Sequence, residues 1–180
     1  MLTETIDDVE KPWIWASPFD FIFLRDFFVN LELVEQCFTS LEPGGYLELR
    51  GTSLAMEFND GAKPPDTWLS IMCSIVTDAA KKQGCDIDSA REYEKMLESA
   101  GFEEVVVKRY KWPINWRQKN KEKAMEVLGK WSFTNMNLYL EALCLRLLKK
   151  AGWDENEIMV LCAKARQDLW ETRFDAYWPV

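Results

Sequence analysis

The sequence predicts an α/β fold, and three observations carry that prediction. Residues 19–49 read as strand, helix, Pro-Gly-Gly turn and strand, the crossover that joins parallel neighbours in one sheet. A second strand-like run, VVVKRY at 105–110, follows two helical patterns. Beyond it, residues 114–170 carry two apolar stripes at helical spacing and end in a strand-like tail, RFDAYWPV. Three or four strands alternating with helices call for a sheet with helices packed on it.

Each element has its own local reason. Residues 2–9 (LTETIDDV) are read as a short strand ending in an acidic turn, broken at Lys11-Pro12 because the residue before proline avoids helix. Residues 19–24 form a near-continuous apolar run of strand length, the pattern of a strand buried on both faces. Such a strand needs neighbours on both sides, yet eighteen residues precede it, so part of the sheet is expected to be missing. Leu31, Val34, Phe38 and Leu41 recur at helical spacing and stop before Pro43. Gly44-Gly45 supply the backbone freedom for a sharp turn into a strand at 46–50.

After a polar, Pro-rich loop at 59–66, residues 68–82 predict a helix ending near Gly84. Ser89 and Glu92 have capping-box spacing ahead of Tyr93, Met96 and Leu97, and Gly101 closes that helix. The strand at 105–110 is ended by Trp112-Pro113. Leu140, Leu143, Cys144, Leu147 and Leu148 mark one later stripe, and Ile158, Leu161, Cys162, Ala165 and Leu169 the other. Asp154 and Glu157 stand at the start of the second as a cap.

Composition narrows the function classes. The 180 residues fit one domain, with nine Trp and ten Phe giving an unusually aromatic core or pocket. A net charge of −8 works against nucleic-acid and anionic-membrane partners. The one basic stretch, Lys108 to Lys123, interleaves with Tyr110, Trp112 and Trp116 and reads as a solvated strand end and loop. Five cysteines without C-x-x-C spacing read as reduced, mostly buried thiols, which fits a cytoplasmic protein. The acidic start MLTETIDDVEKP lacks the order of a signal peptide. The sequence has no histidine, which removes Ser-His-Asp and Cys-His systems and His-ligated metals, and no metal is expected. Catalysis would fall to carboxylates, Tyr, Lys, Cys or the positioning of a reactive cofactor.

The pieces IDDVEKPW (6–13), FDFIFLRD (19–26), EQCFTSLEPGGYLEL (35–49), LESAGFEEVVVKRYKWP (97–113) and AYWP (176–179) together resemble the LaeA-like methyltransferases of fungal secondary metabolism. These lie in the class I S-adenosylmethionine-dependent superfamily. The resemblance runs over nearly the whole chain. It implies a partial Rossmann-like sheet of about three to five strands, mainly parallel with one antiparallel C-terminal strand. Residues 1–180 would be a single incomplete domain, with a helical substrate-cap region at about 114–170. The family's Gly-x-Gly-x-Gly loop and the acidic residue ending its second strand are absent from this sequence. Met1 would fall at the third strand of the family pattern, and the C-terminus would stop inside the last one.

The resemblance further implies S-adenosylmethionine as cofactor and a small apolar or aromatic metabolite as substrate. Asp8 matches the position that accepts a hydrogen bond from the adenine amino group, and Val9 would lie against the adenine ring. Arg25 matches an arginine facing the cofactor and substrate, with Phe23 standing where relatives commonly have histidine. Glu48 and Arg50 would point into the same crevice. Trp112 and Trp116, with Trp13, Trp15 and Trp131, could roof a hydrophobic pocket. Each has a plainer reading beside it: an acidic turn, a strand cap, an ion pair, packed core. Three functions stay open. One is small-molecule methyl transfer. Another is a non-catalytic remnant or regulatory subunit that forms a homo- or hetero-oligomer through an exposed sheet edge. The third is a cofactor-independent cyclase or isomerase. The family also admits a nuclear location.

Overall fold

A computed structural model describes residues 8–9, 11–59, 67–117, 122–170 and 175–180. It divides into two compact units that interleave along the chain. The first is built from residues 1–51 and 89–107, the second from 52–88 and 108–180.

In the first unit, strand β1 (Phe19–Arg25), helix α1 (Leu31–Ser40) and strand β2 (Leu41–Arg50) form the expected parallel crossover. Asn30 starts α1 by accepting a hydrogen bond from the Leu33 amide at 2.8 Å. The strands pair from Phe21↔Tyr46 to Arg25↔Arg50, with an irregularity between Phe19 and Phe21 that absorbs the Pro-Gly-Gly segment. Gly44 takes φ +86°, and a side chain at Gly45 would come within 3.0 Å of the Glu42 carbonyl and 3.1 Å of the Asp20 carbonyl. Glycine is therefore required at this turn on two counts.

Helix α3 (Tyr93–Ala100) follows a 3₁₀ turn (Ser89–Glu92), so the predicted capping box is drawn into that tighter turn. Gly101 ends α3 in the left-handed region at φ +100°. Phe102 then packs edge-on against Phe38 of α1, centroids 5.0 Å apart. Ile22, Leu24, Val29, Leu33, Val34 and Cys37 make the core.

The run at 19–24 is not buried on both faces. Ile22 and Leu24 face the core, whereas Phe21 and Phe23 are about half exposed. Among the described residues, α1 and α3 supply this sheet's apolar cover, and their core takes Ile22 and Leu24.

The second unit carries an antiparallel sheet ordered β3 (Glu57–Phe58), β5 (Ala176–Pro179), β4 (Lys111–Pro113). Its helices are α2 (Trp68–Lys82), α4 (Lys123–Lys150) and α5 (Glu155–Trp170). Thr67 accepts from the Ser70 amide and Asp168 from the Leu69 amide, so two amides at the start of α2 are capped from two directions. At the start of α5, Asp154 accepts from the Asn156 amide while Glu157 reaches back to the Asp154 amide. Hydrogen bonds from Asn156, with the Glu155 and Glu157 amides, hold the Asp154 carboxyl below the ordinary range. Both predicted stripes are inward-facing, Leu140, Cys144 and Leu148 on α4 against Ile158, Leu161, Cys162, Ala165 and Leu169 on α5.

Two sequence expectations change here. Residues 105–110 do not form a strand; Val106 is 77% exposed, and pairing begins at Lys111. A valine run favours extended backbone but becomes a strand only where a partner offers hydrogen bonds. The partner here, β5, pairs with Lys111–Pro113, and Tyr110 and Val180 exchange two backbone bonds at 2.7 and 3.0 Å beside it. Second, among the described residues the sheets are not mainly parallel: the first unit has one parallel pair and the second three antiparallel strands. Residues 2–7 of the predicted first strand lie outside the described residues.

Candidate functional site

The parallel pair sorts its side chains by the twofold alternation of strands. Phe21, Phe23 and Arg25 of β1 share one face with their partners Tyr46, Glu48 and Arg50 of β2, and this is the exposed face. The structure thus brings together four predicted site residues, Phe23, Arg25, Glu48 and Arg50, at the carboxyl end of parallel strands. That is where ligands bind in open α/β sheets.

The Phe21 and Phe23 rings are nearly parallel, centroids 6.5 Å apart. The Arg50 guanidinium lies 5.2 Å from the Phe23 centroid and its Nε donates to Glu48 Oε1 at 2.8 Å. Arg25 Nε is 3.5 Å from Asp26 Oδ2. Both arginines are thus engaged with neighbouring carboxylates in solvent-exposed pairs, each stabilising by no more than about 1 kcal/mol. Their geometry places charge beside aromatic surface without burying it.

Two residues missed in the sequence complete this end of the unit. Asp26 adopts φ +57° while its amide donates to the Arg50 carbonyl at 3.0 Å, tying the end of β1 to β2. The Tyr93 hydroxyl donates to the Phe27 carbonyl at 3.3 Å. Burial raises the Tyr93 phenol above its ordinary range and the Asp26 charge adds to that, against a hydrogen bond with Ser89. The sequence holds one signal for this approach, Gly51 directly after β2. A Cβ there would sit 2.7 Å from the Tyr93 hydroxyl and 2.8 Å from Ala90 Cβ.

The remaining predicted residues have other surroundings. Asp8 Oδ2 lies 3.4 Å from Lys11 Nζ, and its carbonyl accepts from the Lys11 amide at 3.0 Å. Val9 packs against the first unit's core, and its carbonyl accepts from Trp13 Nε1 at 3.1 Å. Trp112 and Trp116 belong to the second unit. Trp112 is a partly exposed β4 residue opposite the buried Trp178. Trp116 packs into an aromatic cluster, its centroid 4.7 Å from Phe133 and 6.1 Å from Trp170, with the Arg117 guanidinium over both indoles. Among the described residues there is no group of three or more side chains able to hold a metal ion, and no helix long and apolar enough to cross a membrane.

Comparison with known proteins decides the ancestry. The chain is 30% identical over 178 residues to the probable methyltransferase tdiE of Emericella nidulans, covering 96% of this chain and 55% of that protein. It is 32% identical over 169 residues to methyltransferase pytC of Aspergillus terreus, covering 91% and 51%. The chain is a relative of the LaeA-like fungal methyltransferases. The secondary metabolism regulator laeA of Fusarium oxysporum f. sp. lycopersici is 24% identical over 185 residues, covering 94% of this chain. The chain spans about half the length of the curated relatives it matches. No family model matches it.

For a LaeA-like relative, the residues present do not compose a complete S-adenosylmethionine site. The sequence has no Gly-x-Gly-x-Gly loop whose amides could approach the cofactor closely. The Asp8 carboxylate is paired with Lys11, and Arg25 and Arg50 are each paired with a carboxylate. No catalytic step through the cofactor follows from these side chains alone.

Proposed function

We propose that this is a methyltransferase-like protein of fungal secondary-metabolite biosynthesis. In this reading S-adenosylmethionine supplies a methyl group to a small apolar or aromatic molecule once a complete cofactor site is assembled. The observation that carries it is the β1–α1–β2 crossover, with Phe23, Arg25, Glu48 and Arg50 on one face at its carboxyl end. The names of the relatives supply the reaction class. A sulfonium methyl is already activated, so transfer needs alignment more than acid–base chemistry, and the lack of histidine is compatible with it. The proposed location is the cytoplasm, with access to the nucleus.

A second reading is a non-catalytic partner or regulatory subunit. It is favoured by the half-exposed Phe21 and Phe23 and by the absence of the glycine loop. In this reading the open edge of the parallel pair joins another chain or a second copy.

Calorimetric titration with S-adenosylmethionine separates the two. The 180-residue chain alone should give no measurable heat. The same chain joined to a family segment bearing strand, Gly-x-Gly-x-Gly loop and helix should bind in the micromolar range, and R25A should weaken that binding. No binding by the joined protein, verified as folded, would sink methyl transfer and leave the partner reading.

A further inference from the structure

Helices α4 and α5 are joined by residues 151–154 and lie side by side as an antiparallel hairpin, whose register two ion pairs fix. Near the turn, Lys149 pairs with Glu155. Farther along, Arg166 Nη2 bridges both oxygens of Glu141 at 2.6 Å, while its Nε and Nη2 also bond the Asn137 carbonyl. One helical turn from the Glu141–Arg166 pair toward the hairpin bend stand Cys144 on α4 and Cys162 on α5. The register therefore sets these thiols opposite each other, near enough for each to shift the other's ionisation. Both are fully buried in the second unit's core and neither is in a disulfide. Cys73 of α2 belongs to the same core and influences Cys144 electrostatically.

We propose that Cys144 and Cys162 are a redox-sensitive dithiol, which a low-molecular-weight disulfide converts to an intrachain cystine that clamps α4 to α5. Two thiols opposed across the hairpin let one attack first and the other resolve. The neighbouring Cys162 thiol and burial raise Cys144 above the ordinary thiol range, whereas Cys144 lowers Cys162, so Cys162 is the thiol that ionises first. The Cys162 thiolate attacks one sulfur of the small disulfide, forming a mixed disulfide and expelling one small thiolate. The Cys144 sulfur, on losing its proton, attacks the Cys162 sulfur, forming the new S–S bond and expelling the second small thiolate. The two protein protons pass to the two released thiolates. Two electrons have moved from the protein to the oxidant. Because both sulfurs are buried, the exchange waits for α5 to part locally from α4, and its rate reports that opening.

The test uses the full chain, held in oxidised glutathione with urea below the unfolding transition, then quenched with an alkylating agent and digested with trypsin. Cleavage after Lys130, Arg146, Lys150 and Lys164 puts Cys144 on peptide 131–146 and Cys162 on peptide 151–164. The expected product is those two peptides joined with the loss of two hydrogens. It should disappear in C162S and return to separate peptides with reductant. The oxidised chain should melt roughly 5–10 °C higher than the reduced one. A Cys73–Cys144 link, or separate glutathione adducts on Cys144 and Cys162, would overturn the proposal. So would thiols that become alkylated under these conditions without joining, or that neither alkylate nor oxidise.

Discussion

The two units bury their apolar residues very differently. Among the described residues, seventeen form the buried core of the second unit and six that of the first. In the second, three helices and Ala176 and Trp178 of β5 converge on one interior, so Leu140, Leu148, Ile158 and Leu169 are wholly enclosed. In the first, α1 and α3 enclose Ile22 and Leu24, and the opposite face of the same strands holds half-exposed Phe21 and Phe23. A parallel pair resembling the middle of a larger α/β sheet thus keeps apolar surface exposed, and the region with candidate chemistry is the more weakly packed.

That contrast yields measurable differences. Leu148→Ala, which empties space at a site with no exposure, should cost roughly 3–4 kcal/mol in chemical denaturation. Leu33→Ala, the same truncation in the first unit's core at 5% exposure, should cost about half of that. Equal losses would mean the two cores are equally well packed.

Gly129→Ala should destabilise by about 2–3 kcal/mol although alanine favours helix. Its Cβ would meet the Asn115 carbonyl oxygen at 2.4 Å and the Asn115 carbonyl carbon at 2.7 Å, so α4 or the 114–116 segment must shift. A neutral or stabilising result would show that this contact is loose.

A smaller effect depends on pH. The Arg166 guanidinium holds the Glu141 carboxyl below its ordinary range. A depressed carboxylate stabilises the fold above its unfolded value of about 4.3, and that contribution is lost as pH falls through the lower folded value. The melting temperature of wild type should therefore exceed that of Glu141→Gln most at neutral pH, with the gap closing below about pH 4. A gap that does not vary with pH would place the effect in packing.

Phe21→Ser and Phe23→Ser should change stability by less than about 1 kcal/mol, since neither ring is enclosed. Should either substitution unfold the first unit, the exposed face would be supporting that core after all.

How much of this was legible in the sequence depended on whether local pattern or distant pairing was decisive. The crossover at 19–50 and the α5 stripe of Ile158, Leu161, Cys162, Ala165 and Leu169 are written in short-range periodicity, and both formed. The valine run at 105–107 has the same local look but no ladder to join, and β3 is two residues long, too short to leave a pattern. At the candidate site, the shared face of Phe23, Arg25, Glu48 and Arg50 follows from strand alternation alone. The approach of Tyr93 to Phe27 and Asp26 spans more than sixty positions, and Gly51 is the one local mark of it. Trp116, which composition offered to a pocket or to packed core alike, packs partly buried against Phe133 and Trp170.

Strand β5 hydrogen-bonds to Glu57–Phe58 on one side and Lys111–Pro113 on the other, yet it is the last of the five strands among the described residues. During translation, α2, α4 and α5 will all have left the ribosome before the sheet has its middle strand. Until then β3 and β4 wait with unpaired edges, and closure must span 118 positions for Phe58↔Ala176 and 64 for Pro113↔Tyr177. Cutting synthesis a few codons short of Ala176 would thus leave an open sheet, prone to aggregation, rather than a protein with a frayed end.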